Sequence, residues 1–291
     1  MPELPEVETI VRSLNKTVLG RKIEDVWSDT KKIIKRPQGF GQFKKEIIGR
    51  KIESVKRRAK NILIGLSGNK ILLIHQKMTG HLLAGRWKLE DGRWKPLLKG
   101  PLEDSVNLYI HLMFQLSGGG LMLALSDLRK FAKVEFLDKE IIEKELSSLG
   151  PEPLEKSFTF EKFKDCFKNK KGKIKQILMK PEIIAGIGNI YSDEILWEAK
   201  IHPSTQAQIL SRPNLNSVYR AMKKILNKAI ELQGDSMSDY RLITGEKGGY
   251  QNVQKVYRQE GKHCPRKDGG VIERLKIGGR SAHFCPICQR I

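Results

Sequence analysis

Acidic residues are far outnumbered by basic ones in this chain. Its 291 residues hold 54 Lys and Arg against 33 Asp and Glu, a net charge of +21 with a pI near 9.8. Soluble surfaces ordinarily mix the two signs, so an excess this large points to a polyanion, whose counterions Lys and Arg displace. Long apolar runs are also missing. No stretch reaches the roughly 18 consecutive apolar residues of a membrane helix. The N-terminus lacks the cationic-then-apolar order of a signal peptide, so a cytoplasmic, nucleoid-associated protein with no membrane partner is expected. Cysteines are few, and three of the four (Cys264, Cys285 and Cys288) gather at the C-terminus, a spacing that suits a metal and not a disulfide scaffold. Cys166, alone in KDCFKNK, reads as an ordinary helix residue.

The charge that is present is clustered. Residues 31–60 carry 12 Lys or Arg against Glu46 and Glu53, and residues 255–291 carry 9 against Glu260, Asp268 and Glu273. The length suits two domains with ample chain for a core. Behind Pro5, apolar residues Val7, Ile10, Val11 and Leu14 recur at helical spacing, which predicts an N-terminal helix. From there to about residue 136 the pattern is β. NILIGL, SGNK and ILLIH make one hairpin; LYIHLMFQL, SGGG and LMLAL make another. The stretch 85–106 reads as an exposed excursion from this β region, with no chemistry of its own.

Composition shifts at LGPEPL (149–154), and helices are predicted at about 160–168, 173–180, 189–200 and 213–233. The expected class is therefore α+β: an N-terminal β-sandwich with an N-terminal helix, then a helical domain that ends in a β-hairpin element. The expected parts are a sandwich at 1–136, a linker at 137–155, a helical part at 156–249 and a cysteine hairpin at 250–291.

The start of the chain, MPELPEVETIV, raises a chemical possibility. If Met1 is removed, Pro2 becomes a free secondary amine; an α-amino group titrates near 8, so roughly a tenth of it is neutral at pH 7, against well under a thousandth of a lysine. A neutral amine can attack a sugar C1′, expel a base and form an iminium. Glu3, next to it, can move protons as general acid and base. The bland alternative is that PELPE only punctuates a helix start.

MPELPEVETI, followed downstream by LGPEPL, GIGNIYSDEILW and a C-terminal cysteine hairpin, resembles the formamidopyrimidine-DNA glycosylase family, with motifs spread over nearly the whole chain in the family's order. The resemblance implies a bifunctional DNA glycosylase and abasic-site lyase of base-excision repair. Such an enzyme removes oxidised purines such as 8-oxoguanine and formamidopyrimidines through a Schiff base on Pro2, with Glu3 as acid and base, then nicks the strand by β,δ-elimination. It also implies a helix-two-turn-helix domain, a zinc finger, and a partner, double-stranded DNA with oxidised bases or abasic sites, bound by a monomer without an organic cofactor. The endonuclease VIII-like branch, for oxidised pyrimidines, usually has Gly where this chain has Leu4, so PELPEVE favours the purine branch.

By the same resemblance Lys60, in RRAKN, matches a phosphate-binding lysine near the catalytic centre, and His75, in IHQKMTG, a phosphate contact. Glu6 and the void-filling residues Met78, Arg129 and Phe131 match lesion-binding positions; Met and Phe are apolar wedges and Arg can bond the orphaned base once the nucleotide is flipped out. The family usually reads DPRRFG where this chain has DLRKFA, and LMDQ where it has LMKP, which puts the rigidity of the first loop and local bonding near the second in question. GIGNIY lacks the third glycine of a dinucleotide fingerprint; a glycine turn entering a helix is instead a phosphate seat, with Asn189 as a donor. GDSMSDYRLITGEKGGYQ resembles the loop that covers the flipped purine, although its composition alone says only a flexible loop.

The cysteine hairpin departs from two CxxC pairs. Cys285 and Cys288 form one; the first knuckle offers Cys264, then Lys267 where the second thiol belongs, then Asp268. With zinc as the expected ion, the fourth ligand is Asp268, His263 or His283, Asp268 being the first choice; otherwise packing alone holds the hairpin. Arg280, in GRS, matches the family's phosphate-gripping arginine and should sit at the hairpin turn. Two other readings use the same charge: a damaged-DNA-binding protein without catalysis, for which Pro2 and Glu3 would be superfluous, and an RNA-binding zinc ribbon, which leaves the wedge residues unexplained.

Overall fold

The structure is a computed structural model that describes residues 1–290. Two compact units divide the chain. The first joins Met1–Ser147 with the returning segment Leu232–Gln251; the second joins Ser148–Glu231 with the chain from Asn252 onward.

In the first unit α1 (Leu4–Thr17) starts at the proline-punctuated turn and buries Leu4, Val7, Ile10, Val11 and Leu14 along one face. Then follow β1 (Ile23–Ser28), β2 (Ile34–Arg36), α2 (Phe40–Ile47), β3 (Ile52–Arg58), β4 (Asn61–Leu66), β5 (Lys70–His75) and β6 (His81–Gly85). After them come β7 (Trp87–Glu90), β8 (Arg93–Pro96), β9 (Ile110–Leu116), β10 (Met122–Ser126), β11 (Lys133–Asp138) and α3 (Lys139–Leu146). One sheet has the order β1-β9-β10-β6 and the other β2-β11-β5-β4-β3. Both predicted hairpins form, β4 with β5 and β9 with β10. The three glycines of SGGG all have positive φ, which is why that turn is written in glycine.

One apolar core runs through Ile10 and Leu14 of α1, Val26, Leu112 and Phe114 of one sheet, and Ile62, Ile74 and Val134 of the other. Helix α2 lies inside the region read as all β. It buries Phe43 and Ile47, four residues apart on one face, and Phe43 meets Phe114 and Phe136 edge-on at 6.4 and 6.2 Å, one ring from each sheet. Eight residues are too short a span for helical periodicity to stand out. The 85–106 stretch is not wholly exposed either. It folds as the β7–β8 hairpin and two 3-10 turns at Pro101–Glu103 and Ser105–Asn107; Trp87 is buried, and Trp94 packs edge-on against Trp27 at 5.6 Å.

The second unit holds α4 (Phe160–Phe167), α5 (Ile174–Leu178), α6 (Asn189–Ala199) and α7 (Arg212–Glu231), then the hairpin β12 (Glu273–Ile277) and β13 (Arg280–Phe284). Helix α7 buries Leu215, Val218, Met222, Leu226 and Ala229 at helical spacing. Tyr219 packs on Phe158 and Phe163 while its hydroxyl donates to the Phe158 carbonyl at 2.8 Å. The architecture is thus the expected one, a sheet unit with an N-terminal helix and a helical unit carrying a hairpin, and no helix among the described residues is long and apolar enough to cross a membrane.

Candidate active site and nucleic-acid interface

At the N-terminus of the first unit, Met1 is exposed whereas Pro2, Glu3 and Glu6 are buried. The Glu6 carboxylate holds this corner together. Its Oε2 accepts the Glu3 N–H at 2.7 Å and its Oε1 accepts the Asp235 N–H at 2.9 Å, while Tyr240 donates its hydroxyl to the Glu6 carbonyl at 3.4 Å. Gly234, at φ +83°, lies so close that a Cβ there would come within 2.9 Å of Glu6. The segment that begins at Asp235 is therefore rooted, through Glu6, on the backbone of Glu3. Glu3 itself stands at the N-cap of α1, where the helix dipole favours a carboxylate.

Lys60 occupies the turn between β3 and β4, beside Ala59 in a left-handed conformation. Arg57, nearly buried, fixes that turn: its Nε bonds Glu8 of α1 at 2.8 Å and its Nη1 donates to the Ala59 carbonyl at 3.1 Å. Burial raises the Glu8 carboxyl, but bonds from Arg57 and Arg12 outweigh it and leave the group below its ordinary value. His75 ends β5. Burial first, then the charges of Lys77 and Lys60, push its pKa down to about 4, so the ring is neutral at pH 7. Its Nδ1 accepts the Lys77 N–H at 3.0 Å, which leaves the proton on Nε2 as a donor.

Met78, Arg129 and Phe131 come together. Arg129 Nη1 lies 3.3 Å from the Met78 sulfur and its guanidinium sits 4.6 Å over the Phe131 ring, with Met78 and Phe131 about half exposed. Their support is Asp127, which is fully buried. Asp127 Oδ1 accepts from the Thr79 hydroxyl and Oδ2 from the Ala132 N–H at 2.7 Å, while the Arg129 N–H donates to Thr79 Oγ1 at 3.1 Å. The loop that lacks the usual proline is thus curled around one carboxylate. Sequence reasoning missed Asp127 and Thr79, since an Asp at a turn is common for purely local reasons.

In the second unit Asn189 is the first residue of α6. Its side-chain oxygen is buried and has no protein partner among the described residues. Four residues on, the fully buried Asp193 accepts from Lys175 of α5 through one oxygen, and from the His283 N–H at 3.0 Å and Nδ1 at 2.8 Å through the other. Glu194 accepts the N–H groups of Lys255, Val256 and Tyr257; burial pushes its carboxyl up even so. Helix α6, the hairpin and the 255–257 segment are thereby tied together, with an open groove of about 400 Å³ whose lining includes Asn189, Tyr257, Arg258, Glu260, Arg274 and His283. Tyr257 and Arg258 were not foreseen; the basic, aromatic run KVYRQ was their signal. Arg280 is exposed and follows the Gly278-Gly279 turn, both glycines at positive φ, so it stands at the hairpin turn as expected.

Cys264, Asp268, Cys285 and Cys288 bring one ligand atom each within 4.8 Å of the others. The Cys264 and Cys288 sulfurs are 4.0 Å apart, and Asp268 Oδ2 is 3.5 Å from the Cys285 sulfur. With metal–sulfur bonds of about 2.3 Å and metal–oxygen bonds of about 2.0 Å, a tetrahedral ion requires edges of roughly 3.8 and 3.5 Å, so the donor set fits. His283 is engaged by Asp193 and Glu260, and among the described residues it is Asp268, not His263, that brings a ligand atom into the cluster, so Asp268 is the fourth member. Arg266 donates to the Cys288 sulfur at 3.3 Å and lies 4.0 Å over Trp197.

Comparison with known proteins gives matches along the whole chain. The family model described as formamidopyrimidine-DNA glycosylase N-terminal domain matches residues 1–134, and that of the formamidopyrimidine-DNA glycosylase H2TH domain matches residues 149–241. The chain is 39% identical to the formamidopyrimidine-DNA glycosylase of Carboxydothermus hydrogenoformans and 37% identical to that of Pelotomaculum thermopropionicum, with all of each chain covered. Among solved structures it resembles the Lactococcus lactis Fpg in complex with abasic-site DNA (33% identity, TM-score 0.85, 99% of this chain and 100% of that one). It also resembles a mutant of that protein with Fapy-dG DNA (32%, TM-score 0.86, both chains fully covered).

Proposed function

Because the chain belongs to the formamidopyrimidine-DNA glycosylase family, we propose that it is the base-excision repair glycosylase and abasic-site lyase that this membership implies, acting on oxidised purines in duplex DNA. The observation that carries the proposal is the N-terminal corner: a buried proline behind one exposed residue, and beside it a buried Glu3 whose backbone Glu6 holds.

Once Met1 is removed, the Pro2 nitrogen adds to C1′ as the bond from C1′ to the base breaks. The base leaves with the electron pair and takes up a proton. The nitrogen loses its proton, Glu3 protonates O4′ as the sugar ring opens, and the iminium forms. Abstraction of a C2′ proton expels the 3′ phosphate, and a second elimination expels the 5′ phosphate. Met78 and Phe131 fill the space left by the flipped nucleotide and Arg129 bonds the orphaned base. Glu6 serves the lesion side by fixing both Glu3 and the root of the 235–250 segment. Lys60 and neutral His75, through Nε2, from the first unit, and Asn189 and Arg280 from the second, each bind DNA phosphates.

The segments then divide the labour: 1–136 for catalysis, 137–155 as linker, 156–249 for helical DNA binding and 250–291 as the hairpin, except that 137–147 of the expected linker and 232–251 fold with the first unit and work from there. Zinc is the ion we assign to Cys264, Asp268, Cys285 and Cys288; when bound it supplies a structural cross-link, and no reaction step passes through it. One zinc per chain by elemental analysis, lost in Cys285→Ser, is the expected result. The protein works as a monomer in the cytoplasm, at the nucleoid.

Base release and strand nicking on duplexes with 8-oxoguanine, with an oxidised pyrimidine and with no lesion test the reading. Fastest release of 8-oxoguanine is expected. Faster release of the pyrimidine would assign the endonuclease VIII-like activity, and binding without release would leave a damaged-DNA-binding protein.

A further inference from the structure

The 235–248 loop reads as flexible in composition, yet it is held at two places. Its root is the Asp235 N–H on Glu6, whose other oxygen holds Glu3, so the loop leaves from the reaction centre itself. Its far side is held by the 101–107 segment, at the end of the excursion that had no assigned role. Arg241, nearly buried, is the joint. Its Nε and Nη2 donate to Asp104 Oδ2 at 3.2 and 2.9 Å, and its Nη1 donates back to the carbonyls of Ser238 and Tyr240 at 3.0 and 2.9 Å. The guanidinium thus sets the path of residues 238–241, next to the partly exposed stretch Met237–Asp239.

Asn107 is a second joint. It is buried, its Nδ2 donates to the carbonyls of Pro101 and Gly245 at 2.7 and 3.2 Å, and its Oδ1 lies 2.9 Å from Nε2 of His81. Gly245 has φ +89° and a Cβ there would meet the Pro101 carbonyl at 2.8 Å, so the loop and the segment are pressed together backbone to backbone. Between the joints the Ala84 N–H donates to the Ile243 carbonyl at 2.7 Å, and Tyr240, Leu242 and Ile243 enter the core of the first unit.

We infer that Asp104 and Asn107 are positioning residues for base recognition: the 101–107 segment holds the 235–248 loop in its working shape beside the reaction centre before a nucleotide arrives. The inference rests on the function proposed above and adds to it the part of the chain that orders the loop. A loop ordered in advance binds a base without the cost of ordering, and that advantage exists only while a base is present. Cleavage at a ready-made abasic site, which offers no base, does not draw on it.

The test is Asp104→Ala and Asn107→Ala in the full chain, with two readouts. Amide exchange across 236–247 should become faster by about tenfold or more, and base release from an 8-oxoguanine duplex should fall about tenfold while cleavage of an abasic duplex stays within about twofold. Asp104→Asn, which keeps an acceptor for Arg241, should restore most of both losses. Unchanged exchange in the loop would overturn the inference, as would equal losses on the two duplexes. If the parent protein releases no base from any duplex, the proposed function fails, and the exchange readout still decides whether the segment holds the loop.

Discussion

Two buried aspartates brace the loops and elements that carry the proposed DNA contacts, and they do so by different physics. Among the described residues Asp127, in the first unit, has neutral partners for its side chain: the Thr79 hydroxyl and the N–H groups of Arg129 and Ala132. Asp193, in the second, is met by the Lys175 ammonium and the His283 ring. Neutral donors gathered from two short loops, 76–80 and 127–132, fix the shape of those loops and little else, which suits Met78, Arg129 and Phe131 on short turns. A charge pair ties separate elements, here α5, α6 and β13, and its loss leaves an uncompensated ion where water does not reach. A local brace should fail locally, and a cross-element brace should fail throughout its unit.

The largest expected effect follows from that difference. Lys175→Met strands Asp193 and should lower the stability of the second unit by about 3–5 kcal/mol, measured as an early unfolding transition in denaturant or by amide exchange over α5, α6 and the hairpin. Asp127→Ala removes acceptors from neutral donors and should cost about 1–3 kcal/mol. Its larger consequence should be functional: base release should slow more than cleavage at an abasic site, because the wedge loses its shape. If Asp127→Ala unfolds the first unit, or Lys175→Met changes only local exchange, the distinction between the two braces is wrong.

The smallest effect is one of pH. His75 is held near 4 from an unperturbed 6.5, so below 6.5 the unfolded chain binds a proton that the folded ring refuses. Stability should therefore fall as pH drops from about 6.5 through 4, and His75→Gln should flatten that slope. A His75 ring that titrates near 6.5 by NMR would contradict the lowered pKa and the stability slope it implies.

Much of the account was legible in the sequence because the signals were local. Alternating strands around SGNK and SGGG, the helical spacing behind Pro5, and the reactivity of a terminal secondary amine need no tertiary knowledge. Asp268 was likewise within reach, since few side chains near the cysteines could serve as ligands. Other features were hidden because their partners are distant. Nothing near Asp104 announces Arg241, and nothing near Asp193 announces His283; each pair is made by the fold alone. The excursion at 85–106 read as idle for the same reason, and α2 escaped because a single buried face of eight residues has no room to repeat.

The central claim is that Pro2 is the nucleophile and Glu3 its proton carrier. Borohydride reduction of the protein on an 8-oxoguanine duplex, followed by mass mapping, tests it most directly. The account predicts a covalent adduct on Pro2 in Met1-free chains, with Glu3→Gln forming none from the intact lesion, a loss of at least about 10²-fold. An adduct on a lysine, or none from a Met1-free protein that binds the duplex, would contradict it.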